Sequence, residues 1–165
     1  MICSKFEECI EQYKCIDKSC LVCRSENSAH NITSKENGRR YNLINDKRLR
    51  VVNYLIDGGV YREENDKTKC DRLYVVFDQP RLTVIFVELK GKSIKHALEQ
   101  LKDTAVRHKS MLSEKRTAFR VVCSGAPKIG NDPQIINLKK CIFREFNTFP
   151  IIKENNLDEA YSTIK

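Results

Sequence analysis

Apolar residues recur along this chain at two spacings. Asp71–Phe77 and Leu82–Glu88 hold consecutive or alternating apolar positions, and the turn-forming Asp78-Gln79-Pro80-Arg81 separates them, which predicts two neighbouring strands. Leu82–Val87 is apolar at almost every position, as in a strand buried on both faces. Arg48–Ile56 is β-branched and partly alternating; Asp57-Gly58-Gly59 then signals a hairpin, with Val60-Tyr61 opening the return strand. Ala118–Cys123 reads as a strand stopped by Ser124-Gly125, and Phe149–Ile152 as a last short one. Helical spacing governs three other segments. Met1–Tyr13 places Ile2, Phe6, Cys9, Ile10 and Tyr13 on one face. Ser93 caps a helix running to about Ser110, with Ile94, Ala97, Leu98, Leu101 and Ala105 as its buried stripe. Asp132 caps a second over Pro133–Phe146.

From Arg48 onward the order is therefore β-hairpin, strand, helix, strand, helix, strand, the signature of an α/β fold with a mixed central sheet flanked by helices. A chain of 165 residues accommodates one compact domain with a small appendage. Composition changes near residue 38. Residues 1–38 form a polar, Cys-rich N-terminal extension, ending in the loop-like Asn27–Gly38, and residues 39–165 form the α/β core.

Charge adds a partner class. Thirty basic and 22 acidic residues give a net charge of +8, which favours polyanions without specifying a fold. One basic group comprises Lys92, Lys95, Lys102, Arg107, Lys109, Lys115, Arg116, Arg120 and Lys128; Arg39, Arg40, Lys47, Arg48 and Arg50 form another. Such side chains would contact backbone phosphates, or form a solvated face with salt pairs. Aromatics are sparse and Trp is absent, so base stacking is weakly signalled. No run approaches membrane-spanning length, and the N-terminus lacks a secretion pattern, so no membrane association and a cytoplasmic location are expected.

The chemistry concentrates at strand ends. Asp71 opens one strand, while Glu88-Leu89-Lys90 closes the next and Gly91 ends it. The pleat sends Glu88 and Lys90 to one face. Two carboxylates and an amine at one spot can hold Mg²⁺ or Mn²⁺ beside a phosphodiester, with the Leu89 carbonyl completing the shell. Lys90 would then orient or deprotonate water, or neutralise developing charge. A Glu and a Lys ending a strand also form ordinary solvated ion pairs. The apolar run before Glu88 places this pair at the end of a central strand, where sites in such sheets cluster.

Cys70-Asp71-Arg72-Leu73-Tyr74, Val87-Glu88-Leu89-Lys90-Gly91 and the helix from Ser93 to Leu101 resemble the PD-(D/E)XK, or restriction-endonuclease-like, nuclease superfamily over roughly residues 45–125. The resemblance implies a four-stranded mixed sheet flanked by helices and Mg²⁺-dependent hydrolysis of nucleic acid, DNA in preference to RNA. It implies catalytic or supporting roles for Asp71, Glu88, Lys90 and the helix residue Gln100, with His96 one turn before it able to touch a phosphate or the water. Cys70 replaces the usual Pro. The additional N-terminal helical Glu of some members would be Glu36 or Glu26. Many members dimerise, so a homodimer or a partner subunit is compatible. Gln100 and His96 also read as ordinary polar residues on a helix rim.

Five of the eight cysteines precede residue 38. Cys15, Cys20, Cys23 and His30 offer a tetrahedral set for Zn²⁺, with Cys9 competing with His30; the alternative is small thiols packing a helix. Cys70, Cys123 and Cys141 read as core. Two rivals to a nuclease remain: a non-catalytic nucleic-acid-binding or adaptor subunit on this fold, and a zinc-organised interaction module.

Overall fold

A computed structural model describes Glu8 and residues 24–61, 68–125 and 132–164. They form a mixed six-stranded sheet, a separate three-stranded sheet and two α-helices. The strands are β1 (Arg24–Asn27), β2 (Asn31–Glu36), β3 (Arg39–Ile44), β4 (Val51–Leu55), β5 (Arg72–Val76), β6 (Thr83–Lys90), β7 (Arg116–Cys123), β8 (Ile151–Glu154) and β9 (Asn156–Ala160). The helices are α1 (Ile94–Arg107) and α2 (Pro133–Phe146). The large sheet has the order β1-β4-β5-β6-β7-β8, antiparallel as far as β6 and parallel from β6 to β8. The small sheet has the order β2-β3-β9.

Strand β6 is central because both its faces are apolar. Val84 and Phe86 join the core beneath the helices, with Leu73 and Val75 of β5 and Ala97, Leu98 and Leu101 of α1. Phe86 stacks on Phe119 at a centroid distance of 5.3 Å. Ile85, Val87 and Leu89 turn the other way and meet Tyr41, Leu43 and Leu157 of the small sheet. Each such buried side chain contributes about 1.5–3 kcal/mol relative to exposure. The result is three layers, helices on sheet on sheet. Alternation along β6 puts Glu88 on the helix side, in line with Phe86.

The capping residues act locally. Ser93 Oγ accepts from the His96 N–H, and Asp132 accepts from the N–H groups of Gln134 and Ile135 at 2.8 and 3.4 Å. Helix α1 stops at Arg107 rather than Ser110, and a 3₁₀ turn, Lys109–Leu112, follows. Among the described residues, no helix is long and apolar enough to cross a membrane.

Three expectations need correction. The hairpin at Asp57-Gly58-Gly59 is absent: Val60 and Tyr61 close a tight turn onto Leu55 and Ile56, and β4 pairs instead with β1 and β5. The boundary at residue 38 cuts through paired strands, because β1 pairs with β4 and β2 with β3. Asn27–Gly38 is thus mostly strand, and Asn37-Gly38 is its two-residue turn, with φ of 44° and 79°. The sheets are also larger than the four strands implied by the resemblance, since β1, β2 and β9 are too polar to announce themselves. Of the helix expected over Met1–Tyr13, only Glu8 lies within the described residues, and it is helical.

Arg120 does not belong to the basic surface. It is 4% exposed, and its Nε donates to Glu159 Oε1 at 2.7 Å, while Tyr41 OH donates to the same oxygen at 2.8 Å. This ion pair joins β7 to β9 across the interface of the two sheets. Removing one partner strands the other charge in the interior, which costs about 3–5 kcal/mol, whereas apolar replacement of both is far milder. Urea unfolding should therefore show Arg120→Ala destabilised by about that amount, and an Arg120→Met/Glu159→Leu pair well above it in stability.

Candidate functional site

The antiparallel register of β5 and β6 pairs Arg72 with Val87, so the next position places Asp71 opposite Glu88. There the chain leaves the ladder, and side chains take over its hydrogen bonds. The Asp71 N–H donates to Glu88 Oε2 at 3.1 Å, and the Leu89 N–H donates to Asp71 Oδ2 at 2.6 Å. The N–H and C=O of one residue leave an extended strand along the same edge. The Leu89 carbonyl therefore leaves β6 on the side of Asp71. Lys90 Nζ stands 3.8 Å from Glu88 Oε1. The structure thus brings Asp71, Glu88, Lys90 and the Leu89 backbone together at the end of the central strand.

The electrostatics are those of crowded acids. Glu88 is 1% exposed. Burial pushes its pKa well above the carboxylate range; the Asp71 charge raises it further, and Lys90 and the Asp71 N–H oppose the rise. Burial likewise raises Asp71 to about 6, against the hydrogen bond from Leu89, with Glu36 adding to the rise and Lys90 opposing it. The site holds more negative charge than its solvation supports, so a proton or a cation is favoured there.

Helix α1 fixes the segment that delivers Asp71. Arg107 Nη2 donates to the Thr68 carbonyl at 3.0 Å, Gln100 Nε2 to the Lys69 carbonyl at 2.8 Å, and the Cys70 N–H to Thr104 Oγ1 at 2.8 Å. Residues 100, 104 and 107 share a helix face, so three consecutive backbone groups are held by one rigid element. Gln100 is buried and its Oε1 has no hydrogen-bond partner. Thr104 and Arg107 were not expected from sequence; their spacing from Gln100 was the available signal.

The remaining candidates separate. His96 has a side chain 51% exposed on the first turn of α1, with Nδ1 3.6 Å from Glu99, and it does not share the buried setting of Gln100. Glu36 and Glu26 both lie on strands, not on a helix. Glu36 is exposed, and its charge reaches Asp71 and Glu88. Glu26 instead pairs with Arg24 and Arg50 at the sheet edge. The basic group also divides: Arg116 pairs in register with Thr83, at the opposite end of the sheet from Lys90. Cys15, Cys20 and Cys23 lie outside the described residues, and His30 is exposed in the turn before β2. Cys70 and Cys123 are free and buried, and Cys141 is free and half-buried.

The donor set suits a hard cation. One oxygen of each carboxylate accepts a backbone N–H, so Asp71 Oδ1 and Glu88 Oε1 are the oxygens left to hold a cation. With the Leu89 carbonyl these are all oxygen donors, the kind Mg²⁺ and Mn²⁺ select, and Mg²⁺ keeps several waters of its own. Among the described residues no cluster of three or more His, Cys, Asp or Glu side chains could hold a metal, so the carbonyl and water would complete any shell here.

The acids also set a pH dependence. Both are harder to ionise in the folded chain than in the unfolded one, so the unfolded state binds fewer protons above the ordinary carboxylate range. Folding stability without metal should fall as pH rises from about 4 to about 9. Thermal melts in a chelator should show this loss, and Glu88→Gln should flatten it and raise the melting temperature at the upper end. An unchanged profile in Glu88→Gln would remove the carboxylate pair as its cause.

No protein-family model, curated protein or solved structure matches this chain.

Proposed function

We propose that this chain is a metal-dependent nuclease that hydrolyses phosphodiester bonds of nucleic acid, and that its architecture is a variant of the restriction-endonuclease-like fold. The observation that carries the reading is the pair of buried Glu88 and half-buried Asp71, linked at the end of β6 with Lys90 beside them. A buried acid hydrogen-bonded to a second, half-buried one, with an adjacent amine, is costly for a structural role alone, and useful where a cation and a phosphate meet.

Asp71 Oδ1, Glu88 Oε1 and the Leu89 carbonyl would hold Mg²⁺ or Mn²⁺. When bound, the ion supplies Lewis acidity toward a phosphoryl oxygen and a lowered pKa for water. The protein's part is placement and charge. Lys90, half-buried and next to Glu88, orients the attacking water or offsets charge that develops on the phosphate. Gln100 is a positioning residue, acting on Asp71 through the Lys69 carbonyl. The geometry gives His96 no contact with the trio. The preference for DNA over RNA rests on the sequence resemblance. The reduced thiols of Cys70, Cys123 and Cys141 fit a cytoplasmic protein.

Purified protein incubated with plasmid and single-stranded DNA in Mg²⁺ or Mn²⁺ should cleave, and Asp71→Ala and Glu88→Ala should not. Lys90→Ala should lower kcat by about 10²- to 10⁴-fold. All three variants should still bind DNA. Cleavage that survives Glu88→Ala would refute the assignment. Binding without turnover by the unaltered chain would favour a non-catalytic nucleic-acid-binding subunit.

A further inference from the structure

Among the described residues two arginines are buried, and one of the two is paired with an acid. Arg120 is matched by Glu159. Arg39, at the start of β3, is 8% exposed, and its Nη1 donates to Ser124 Oγ at 3.0 Å. Its Nε is buried with no hydrogen-bond partner, and no carboxylate among the described residues pairs with it. A guanidinium has five N–H donors, and burying it beside a single neutral hydroxyl leaves most of its charge uncompensated. Structural arginines are not usually left so; anion-binding ones are.

Its place in the fold says which anion. Ser124 follows β7 and Gly91 follows β6, and the two are joined by the bond from the Ser124 N–H to the Gly91 carbonyl. Arg39 Nη1 lies 3.9 Å from where a Cβ of Gly91 would stand. Gly91 directly follows Lys90, so the guanidinium lies beside the turn that follows the site's amine. Arg39 also lines an open cleft of about 460 Å³ with Lys35, Glu36, Arg40 and Asn156. Glu36 of that cleft lies within electrostatic range of Asp71 and Glu88.

We propose that Arg39 is a phosphate-binding residue of this site, taking a non-bridging oxygen of the nucleic-acid backbone where the strand crosses the ends of β6 and β7. The identity of the bound strand as substrate rests on the nuclease reading; the phosphate contact does not. A pair of acids repels a polyanion, and a poorly compensated arginine near them offsets that repulsion. Ser124 holds the guanidinium in place until a phosphate arrives.

Binding of a short fluorescein-labelled DNA duplex, measured by anisotropy in EDTA over a salt series, tests this without turnover. Arg39→Ala should weaken binding about 10- to 100-fold. It should also lower the slope of log K against log salt by about one. Arg39→Lys should keep the slope and recover only part of the affinity, because an ammonium lacks the planar fork. Ser124→Ala should leave binding within about twofold. Melting temperatures are read beside each variant, and Arg39→Gln replaces Arg39→Ala if the latter fails to fold. An affinity and slope unchanged on losing the guanidinium, or no binding by the unaltered chain, overturns the proposal. If the slope changes but no divalent cation supports cleavage, Arg39 keeps its role and the hydrolase reading fails. If Glu88-dependent cleavage is present and the slope does not move, the reverse holds.

Discussion

Two carboxylates set side by side, Glu88 buried and Asp71 half-buried, are the constraint around which this protein is arranged. Left ionised and alone, such a pair would cost more than a small domain can spare. It persists because each acid accepts a backbone N–H from the other's strand, and because Lys90 stands at its edge. The residual imbalance appears as raised pKa values on both acids, with burial the main cause. Such an imbalance favours a proton or a cation at the pair. The surrounding structure keeps the two acids from moving apart to relieve the strain: β6 is clamped between layers, and α1 grips residues 68–70 by three successive hydrogen bonds.

The second sheet is part of the same logic. A strand apolar on both faces needs two covers, and β2, β3 and β9 supply the one that the helices do not. The Arg120–Glu159–Tyr41 contact fixes that cover over β7. Once docked, the Asn37-Gly38 hairpin brings Glu36 and Arg39 to the strand ends that carry the acids, so one layer completes the core and shapes the mouth of the site.

What the sequence made legible follows from where the free energy lies. Leu82–Val87 and the capped helix at Pro133 were visible because burial and capping act through adjacent residues. The acidic trio was visible because a β-pleat and a short turn convert sequence distance directly into spatial distance. Strands β1, β2 and β9 were not, since β1 buries no apolar residue and β2 and β9 bury one each, and all three owe their existence to neighbours far along the chain. The Asn37-Gly38 turn was a readable hairpin signal, obscured by polar flanks. Charge proved the least legible property: Arg39, Arg116 and Arg120 look alike in a linear count, yet one borders the site, one lies at the far end of the sheet and one is locked inside. His96 and Gln100 share a spacing but not an environment, because a helix face changes from buried to open within one turn at its end.

The central claim is that Asp71 and Glu88 together form a trap for one hard cation. Isothermal titration of the metal-free protein with Mn²⁺ or Mg²⁺ near neutral pH, in two buffers of different ionisation enthalpy, tests it most directly. One ion should bind per chain with release of about one proton, and Glu88→Gln should abolish the binding. No binding by the unaltered protein, or equal affinity in Glu88→Gln, would contradict the account.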